Sequence, residues 1–487
     1  MDDEEFLRII NKKMQQEEFR WDSERIFAKE IEKFDRELKK LIQTDRFREE
    51  LLKEVECCRA IDFETIFSID DYRDRRFQYV CSGSFGNVLI LYAGRRRQIQ
   101  IIKTIRCLPE RLSYAYRTGS MSYRDTLNEV KCLKILSKLC SGVWLTRKNF
   151  TINGDGQIDH RNVSINCDDD DDGDEDDDRL DGDVDDDGLN EISTKITTKI
   201  EINQCRNLNL FDYKPRKRFY FKANCFPKLY KVYLCQNEMK SKFCFDSLYP
   251  IDNVRPIDEN LETTLIRMEH CGIELNQLIE MDRIGPEAIV SILKQIIIGI
   301  AIAESIYKFE HRDLHRSNIT CSSIDREWIK FIYNSQKYYL QSYGFEAKII
   351  DYSYSRINDG ERVYFKDLSY LNYEKYDAEK SINDPDDDSD GDDNEIGPYS
   401  EMAKLFQSKN WSHYSNRTNL IWIKFLLKDL FAILETKSFR LSFNDEHRRI
   451  WNYLGKMIKT IEQCEDIFQF FNQLTSDNLN TIVPFQS

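Results

Sequence analysis

One short segment of the chain combines a histidine, an arginine, an aspartate and an asparagine at fixed spacing: His311-Arg312-Asp313-Leu314-His315-Arg316-Ser317-Asn318. This is the complete H-R-D-x-x-x-x-N pattern of a phosphoryl-transfer loop. Such a transfer needs a carboxylate that orients the attacking hydroxyl and accepts its proton, and a nearby amide oxygen that holds a magnesium ion. We therefore interpret Asp313 as the catalytic base and Asn318 as a magnesium ligand.

A second carboxylate follows Asn318 by 33 residues. Asp351 ends the apolar run Lys348-Ile349-Ile350 and begins the triplet Asp351-Tyr352-Ser353. An apolar strand that ends in aspartate delivers the second metal-binding carboxylate of these enzymes, where the usual triplet is Asp-Phe-Gly. Its place after a complete catalytic loop predicts that Asp351 also binds magnesium.

A glycine-containing segment upstream resembles a loop that covers ATP phosphates. Backbone amides approach phosphate oxygens closely only where side chains are absent. Gly83 and Gly86 match the second and third glycines of G-x-G-x-x-G, and Cys81 stands at the first. This predicts ATP contacts for Gly83, Ser84, Phe85, Gly86 and Val88. A plain hairpin is the alternative.

A lysine suited to the α- and β-phosphates lies 17 residues after Gly86. Lys103 is set in the apolar run Ile101-Ile102-Lys103-Thr104-Ile105. It needs a carboxylate partner on the following helix, and Glu129 is the only acid well inside that helix. Glu110 precedes the helix, and Asp125 lies near its N-terminus, where an acid serves as a cap.

The order of the elements predicts an α+β fold. Strand-like runs at Gln78–Val80, Asn87–Ala93 and Gln98–Ile105 precede a helix with apolar residues from Leu127 to Leu139. The second half opens with a helix from about Pro286 to Phe309 that is apolar on nearly every side, which places it inside a core. Strands followed by helices indicate an α+β, two-layer arrangement with a cleft between a β-rich lobe and a helical lobe. Together with the catalytic motifs above, this arrangement predicts a bilobal protein-kinase fold.

Composition divides the 487 residues further. Residues 1–60 are predicted to be an N-terminal helical extension, 61–269 a β-rich N-lobe and 270–487 a helical C-lobe. The net charge of −15 is concentrated, since Asp168–Gly188 holds 15 acids and one arginine and Asp384–Glu395 holds eight more acids. Runs of like charge repel each other. We therefore expect disordered insertions at about 141–218 and 376–397.

Several classes of protein are not expected. The acidic start MDDEEFLRII lacks the apolar stretch of a secretory signal, and no apolar stretch is expected to reach the length of a membrane span. The sequence therefore predicts an intracellular chain without a membrane partner. The 14 cysteines lack metal-ligand spacing and read as buried or free thiols. The segment Asp183–Gly188 starts like a calcium loop, but Thr194 stands at the twelfth position, where such a loop needs glutamate, so a disordered polyacidic loop is favoured over a calcium site.

The triplet Asp351-Tyr352-Ser353 makes the resemblance specific, because the haspin family has Asp-Tyr-Thr in place of Asp-Phe-Gly. The segment Glu304–His315 looks like the catalytic segment of that family, and Cys271–Leu275 resembles its Gly-Gly-Ile-Asp-Leu. Trp411–Tyr414 with Asn419–Trp422 resembles its late helical segment. The resemblance runs from about residue 78 to the C-terminus, interrupted by the acidic runs.

Membership of this family of atypical eukaryotic protein kinases would imply a monomeric serine/threonine kinase that uses ATP and Mg²⁺. It would not need phosphorylation of its activation loop. The implied substrate is a basic protein, namely a threonine near the amino terminus of histone H3. The implied location is the nucleus, on mitotic chromosomes and in contact with chromatin, with the cytoplasm as a second possibility.

The resemblance also implies roles for residues outside the motifs. Met268 would be the gatekeeper, and the backbones of Glu269 and Cys271 would meet adenine. Glu274 would stand near the ribose and the substrate, and Asp367 would be a retained substrate-facing acid. The family places further acids shortly beyond, where this chain has Leu371-Asn372-Tyr373.

Two other classes of protein remain compatible with the sequence. A pseudokinase that serves as a chromatin-binding scaffold is favoured only by Cys81, and a small-molecule kinase of the aminoglycoside type shares an aspartate-containing catalytic loop. The basic cluster Lys214–Arg218 is compatible with a nuclear-import signal or a nucleic-acid patch. A solvated loop, or a counter-charge for the acidic insertion, is the alternative. Residues 1–60 would form a helix packed on the domain or a partner-binding coil.

Overall fold

The structure is a computed structural model. It describes residues 36–55, 59–62, 66, 77–83, 86–93, 98–110, 120–146, 151–152, 158–159, 218–236, 261–371, 397–406, 410–440, 445–476 and 482–484. Both acidic runs, Ser84, Phe85 and the basic cluster from Lys214 to Lys217 lie outside these residues.

The strands in chain order are β1 (Ile61–Asp62), β2 (Phe77–Gly83), β3 (Gly86–Ala93), β4 (Gln98–Leu108), β5 (Met121–Ser122), β6 (Val143–Thr146), β7 (Thr151–Ile152), β8 (Ile158–Asp159), β9 (Arg218–Phe221), β10 (Leu229–Gln236), β11 (Glu262–Glu269), β12 (Ile273–Glu274), β13 (Ile319–Ser323), β14 (Trp328–Tyr333), β15 (Gln336–Gln341), β16 (Phe345–Ile349), β17 (Arg356–Asn358), β18 (Val363–Phe365) and β19 (Ile482–Pro484). The helices are α1 (Arg46–Glu54), α2 (Tyr123–Ser141), α3 (Leu275–Glu280), α4 (Pro286–Tyr307), α5 (Pro398–Phe406), α6 (Thr418–Arg440), α7 (Asp445–Glu462) and α8 (Ile467–Ser476).

The largest sheet has seven strands in the order β1-β10-β11-β4-β3-β2, with β5 paired to β4. Its pairings are antiparallel except for β1 with β10 and β4 with β5. The centre of the sheet carries Lys103, which lies opposite Val88 on one side and Ile266 on the other. The α+β prediction is confirmed, because the seven-stranded sheet is built from residues between Ile61 and Glu269 and most of the helices follow it, although β12 to β19 lie among those later helices.

Helix α2 begins because the Ser122 hydroxyl accepts a hydrogen bond from the Asp125 N–H at 3.0 Å. Its apolar face is fully buried, which fixes the helix against the rest of the protein. Of the N-terminal region, the structure describes helical residues 36–44 and helix α1. Helix α1 packs on α2. Glu54 of α1 pairs with Lys131 of α2 at 2.5 Å.

Helix α4 is the centre of the helical part of the core, as its sequence predicts. Pro286 at its first turn needs no hydrogen-bond partner for its nitrogen, and Lys308 ends the helix with a left-handed φ of 49°. The expectation that no segment is long enough for a membrane span is wrong, because α4 is long and apolar enough. Its apolar window is entirely buried in the protein, which is typical of a core helix.

A three-stranded sheet, β12-β13-β16, sets the spacing of the metal-binding candidates. Strand β13 begins immediately after Asn318, β16 ends two residues before Asp351, and Ile319 lies opposite Ile349. The Ile350 N–H also donates to the Asn318 carbonyl at 3.0 Å. Residues 33 positions apart in the chain are therefore brought to the same end of one small sheet.

Short pairings border the first acidic run. Strand β6 pairs with β9, and the Tyr220 hydroxyl donates to the Ser141 carbonyl at the end of α2, at 2.9 Å. The structure thus describes strands at both margins of the segment that the sequence assigns to an insertion at about 141–218.

Candidate active site

The catalytic loop is held at both ends by hydrogen bonds to backbone carbonyls. The Glu310 N–H donates to the Arg356 carbonyl at 2.9 Å, and the Arg356 N–H donates back to Glu310 at 2.8 Å. At the other end the Asn318 side-chain amide donates to the Asp313 carbonyl at 2.8 Å. The loop that carries Asp313 is therefore a closed turn, which gives a reacting carboxylate a fixed position.

Asp313 lies where the loop meets helix α5. Its Oδ1 accepts a hydrogen bond from the Tyr399 hydroxyl, and its Oδ2 lies 3.5 Å from the Asn318 amide nitrogen. His315 Nε2 is 3.7 Å from Oδ1. Burial raises the pKa of Asp313 above its usual value, although the Tyr399 hydrogen bond and His315 oppose that rise.

Three charged groups meet across the sheet and helix α2. Lys103 Nζ lies 2.6 Å from Glu129 Oε1 and 3.5 Å from Asp351 Oδ2. Burial alone would lower the pKa of Lys103, but Asp351 and Glu129 outweigh burial and raise it, so the lysine stays charged. The structure thus brings together the lysine, its partner and the second metal-binding candidate.

Asp351 occupies an unusual backbone conformation with φ 61°. The Ser353 hydroxyl and N–H both donate to its Oδ1, at 2.6 and 3.1 Å. Burial would raise the pKa of Asp351, but Lys103 and the Ser353 hydrogen bonds lower it to about 2. The carboxylate is therefore ionised and suited to a divalent cation.

Tyr352 stands where the usual Asp-Phe-Gly triplet has phenylalanine. Its ring is buried and lies 5.9 Å from the His311 ring and 6.2 Å from Phe309. Its hydroxyl donates to the Ile349 carbonyl at 2.5 Å. A tyrosine can therefore fill an apolar slot because its polar atom has a partner.

His311 is a buried structural residue. Its Nε2 lies 3.2 Å from the Ile350 carbonyl, which can only accept, so Nε2 carries the proton. Burial lowers the pKa of His311 to about 4, so the ring is neutral at pH 7. It links the catalytic loop to the segment that carries Asp351.

The phosphate-loop and hinge candidates belong to the same sheet and lie on opposite sides of β4. Gly83 at the end of β2 pairs with Gly86 at the start of β3. Met268 and Glu269 end β11, and the Glu269 N–H donates to the Lys228 carbonyl at 2.9 Å. The Glu269 carbonyl is 3.4 Å from Cys271 Sγ. The adenine contacts predicted for these backbones remain predictions.

The two candidate substrate acids differ in their surroundings. Glu274 lies in β12 opposite Thr320, and its pKa is raised by burial and lowered by nearby His315. Asp367 is exposed and accepts a hydrogen bond from the Ser369 N–H at 3.0 Å, which caps a 3₁₀ turn. Glu274 is thus near the catalytic loop, whereas the contact shown for Asp367 is local.

Sequence reasoning singled out the Trp411–Tyr414 segment by its resemblance but gave it no role in the site. It forms a turn before α6, and its Trp411 carbonyl accepts a hydrogen bond from Arg312 at 2.9 Å. Tyr399, which contacts the base, was missed. No motif spacing marks Tyr399, because it is far from the loop in the chain.

The arrangement is that of a protein-kinase domain: a lysine–glutamate pair at the sheet, a fixed catalytic aspartate and a second aspartate beside the lysine. A family described as "Haspin like kinase domain" matches residues 214–481. The chain belongs to this haspin-like kinase family.

Curated relatives agree with that assignment. A serine/threonine-protein kinase haspin homolog of Arabidopsis thaliana is 29% identical over 215 residues, which cover 44% of this chain and 32% of that protein. The homolog of Drosophila melanogaster is 32% identical over 35% of this chain and 28% of its own length. Serine/threonine-protein kinase haspin of Mus musculus is 28% identical over 30% of this chain and 18% of its own length. The matches thus span less than a third of each relative.

Proposed function

We propose that this chain is an ATP-dependent serine/threonine protein kinase that transfers the γ-phosphate to a protein hydroxyl. The observation that carries the proposal is Lys103 Nζ at 2.6 Å from Glu129 and 3.5 Å from Asp351. A lysine held in this way binds α- and β-phosphates, and Asp313 is available to accept the proton of the attacking hydroxyl. The names of the relatives, which describe serine/threonine-protein kinases, support the same reaction.

The chemistry of the donor atoms fits Mg²⁺. The amide nitrogen of Asn318 is used by the loop, which leaves its amide oxygen as the atom for a cation, and Asp351 offers an ionised carboxylate. Magnesium binds proteins through one or two such oxygens and completes its shell with phosphates and water. Bound there, it would neutralise charge on the transferred phosphate.

The proposed substrate is a threonine in the amino-terminal tail of histone H3. This rests on the motif resemblance and on the half-buried Glu274 beside the catalytic loop, which suits a cationic peptide. Leu371 and the two residues after it stand where the family has acids. We therefore propose that basic residues of the substrate are recognised less strongly on that side.

The architecture and location follow the same proposal. We propose a bilobal kinase with two disordered acidic insertions, acting as a monomer in the nucleus and on chromatin. Limited proteolysis should cut first between β8 and β9 and between Leu371 and Pro398. Imaging of the tagged chain, with and without Lys214–Arg218 replaced by glutamines, tests nuclear import.

The decisive experiment is a transfer assay with radiolabelled ATP and Mg²⁺. The substrates are a histone H3 tail peptide, the same peptide with its threonines replaced by serine or alanine, and an unrelated basic peptide. Asp313→Asn is expected to reduce transfer by roughly 10²–10⁴-fold, because the proton acceptor is lost. ATP affinity, measured by calorimetry, should remain because Lys103 and Glu129 are intact.

The possible outcomes separate the alternatives. Transfer to the unrelated peptide but not to the histone tail would preserve the kinase and contradict the substrate. ATP binding without transfer to any peptide would contradict the kinase and favour the scaffold. Transfer that is undiminished in Asp313→Asn would contradict the role of Asp313.

A further inference from the structure

The hydroxyl of Tyr399 donates a hydrogen bond to Oδ1 of Asp313. The two residues are 86 positions apart, and Tyr399 belongs to no motif of the sequence. Hydrogen bonds to an ionised group are shorter and stronger than those between neutral groups. This contact therefore bears directly on the carboxylate that would accept the proton.

Tyr399 is itself held by packing. It lies in the first turn of α5, whose Met402 and Phe406 are buried in the core. Its ring stands edge-on to the buried Trp422 with centroids 4.9 Å apart, and the Tyr354 ring is 6.4 Å away. The hydroxyl is thus presented by a rigid surface rather than by a free side chain.

The other neighbours of Asp313 hold its carboxylate less tightly. Asn318 reaches Oδ2 at 3.5 Å, and His315 Nε2 is 3.7 Å from Oδ1. Without Tyr399 the carboxylate would be free to turn about its last torsion, which is broad and two-fold for aspartate. One strong donor on Oδ1 removes this freedom and leaves Oδ2 with only a long contact.

We propose that Tyr399 is a positioning residue for the catalytic base: it fixes Oδ1 of Asp313 so that Oδ2 receives the proton of the substrate hydroxyl. This inference rests on the proposed kinase function. The proton passes from the attacking hydroxyl to Oδ2 as the new oxygen–phosphorus bond forms and the bond to ADP breaks. Tyr399 keeps its own proton throughout.

The test is Tyr399→Phe, which removes one hydroxyl and retains the ring packing. We expect kcat to fall roughly tenfold, because a hydrogen bond to a charged group contributes on this scale. The KM for peptide, the calorimetric affinity for ATP and the Tm should stay unchanged. A merely structural role would lower Tm and ATP affinity together with kcat.

Tyr370→Phe is the matched control. Like Tyr399, Tyr370 contacts Tyr354. It differs from Tyr399 because it is 57% exposed and its hydrogen bond is to Tyr354 rather than to Asp313. Its removal should leave kcat unchanged. A double-mutant cycle adds a second criterion, because Tyr399→Phe should have no further effect in an Asp313→Asn background if it acts through Asp313.

Each contrary result has a distinct meaning. An unchanged kcat, or an effect of Tyr399→Phe that persists beside Asp313→Asn, overturns the inference. A gain in kcat/KM for peptide would mean that the Tyr399 hydroxyl competes with the substrate. Phosphate on Tyr399, found by mass spectrometry after incubation with ATP, would make it an acceptor instead. A wild-type chain that phosphorylates no peptide overturns the proposed kinase function itself. The other results leave the proposed kinase function unaffected.

Discussion

The guanidinium of Arg312 lies 2.8 Å from the carboxylate of Glu310, and both side chains are completely buried. Arg312 also donates to the carbonyls of Trp411 and His413, at 2.9 and 3.2 Å. Arg356 approaches the same Glu310 oxygen at 3.5 Å. The charge of the residue that precedes the base is therefore compensated within the protein itself. Independence from activation-loop phosphorylation, which the resemblance implies, stays a prediction.

Replacing Glu310 by glutamine should leave two buried guanidinium groups without their shared counter-charge. Breaking a buried pair in this way costs about 3–5 kcal/mol, because the remaining charge is not solvated. Urea unfolding of Glu310→Gln should show a loss of this size in the free energy of unfolding. Glu50→Gln, which breaks the exposed pair with Arg362, should cost no more than about 1 kcal/mol. Equal losses of unfolding free energy in the two variants would contradict the conclusion that burial makes the Glu310 pair costly to break.

Glu129→Gln tests the partner of Lys103. The glutamine cannot supply the charge that holds the ammonium group, so kcat/KM for ATP should fall by roughly 10–100-fold. Steady-state kinetics at varied ATP measures this. Glu110→Gln is the control, since Glu110 pairs with Arg124 at 3.3 Å, and it should leave kcat/KM nearly unchanged. A comparable fall in both variants would point to general damage of the fold.

The buried carboxyl of Glu304 should make the free energy of unfolding depend on pH. It is buried with Tyr414 and Asn419 as hydrogen-bond donors, and burial raises its pKa to about 8. Because the pKa of this carboxyl is higher in the folded state than in the unfolded state, the free energy of unfolding falls as the pH rises from about 4.5 to 8. The fall is up to about 1.4 kcal/mol per pH unit. Relative to wild type, Glu304→Gln should therefore gain stability between pH 5 and pH 8.

Urea midpoints of both proteins at several pH values provide the measurement. The comparison with Glu304→Gln isolates this carboxyl from other titrating groups, which the two proteins share. A stability difference that stays constant from pH 5 to pH 8 would show that Glu304 is ionised in the fold.

Gly272 lies between the hinge candidates and Glu274. It has φ 87°, and a Cβ there would lie 2.0 Å from the Cys321 carbonyl oxygen, which is backbone and cannot move freely. Gly272→Ala should destabilise the protein by more than the roughly 1 kcal/mol that a left-handed residue costs. Gly344→Ala separates the two effects, because φ is 81° there but no atom lies within 4 Å. Similar Tm losses in both variants would exclude the clash.

Local patterns in the sequence were sufficient to predict the chemistry. The spacing from His311 to Asn318 lies within one turn, and the strands and core helix follow from hydrophobic periodicity. Glu129 is predicted as the partner of Lys103 because it is the only acid well inside the helix, and the structure brings it to Lys103. These predictions depend on residues close together in the chain, where backbone geometry fixes which side chains share a face.

Only the tertiary structure decided which distant groups complete the site. Tyr399 reaches Asp313 across 86 residues, and Arg312 finds its acceptors about 100 residues away in the turn at Trp411. The burial of α4 was readable from its composition, whereas the elements that cover it, among them β16, α7 and α8, were decided by the tertiary structure. Contacts of this kind are set by how whole elements pack, and packing leaves no fixed spacing in the sequence.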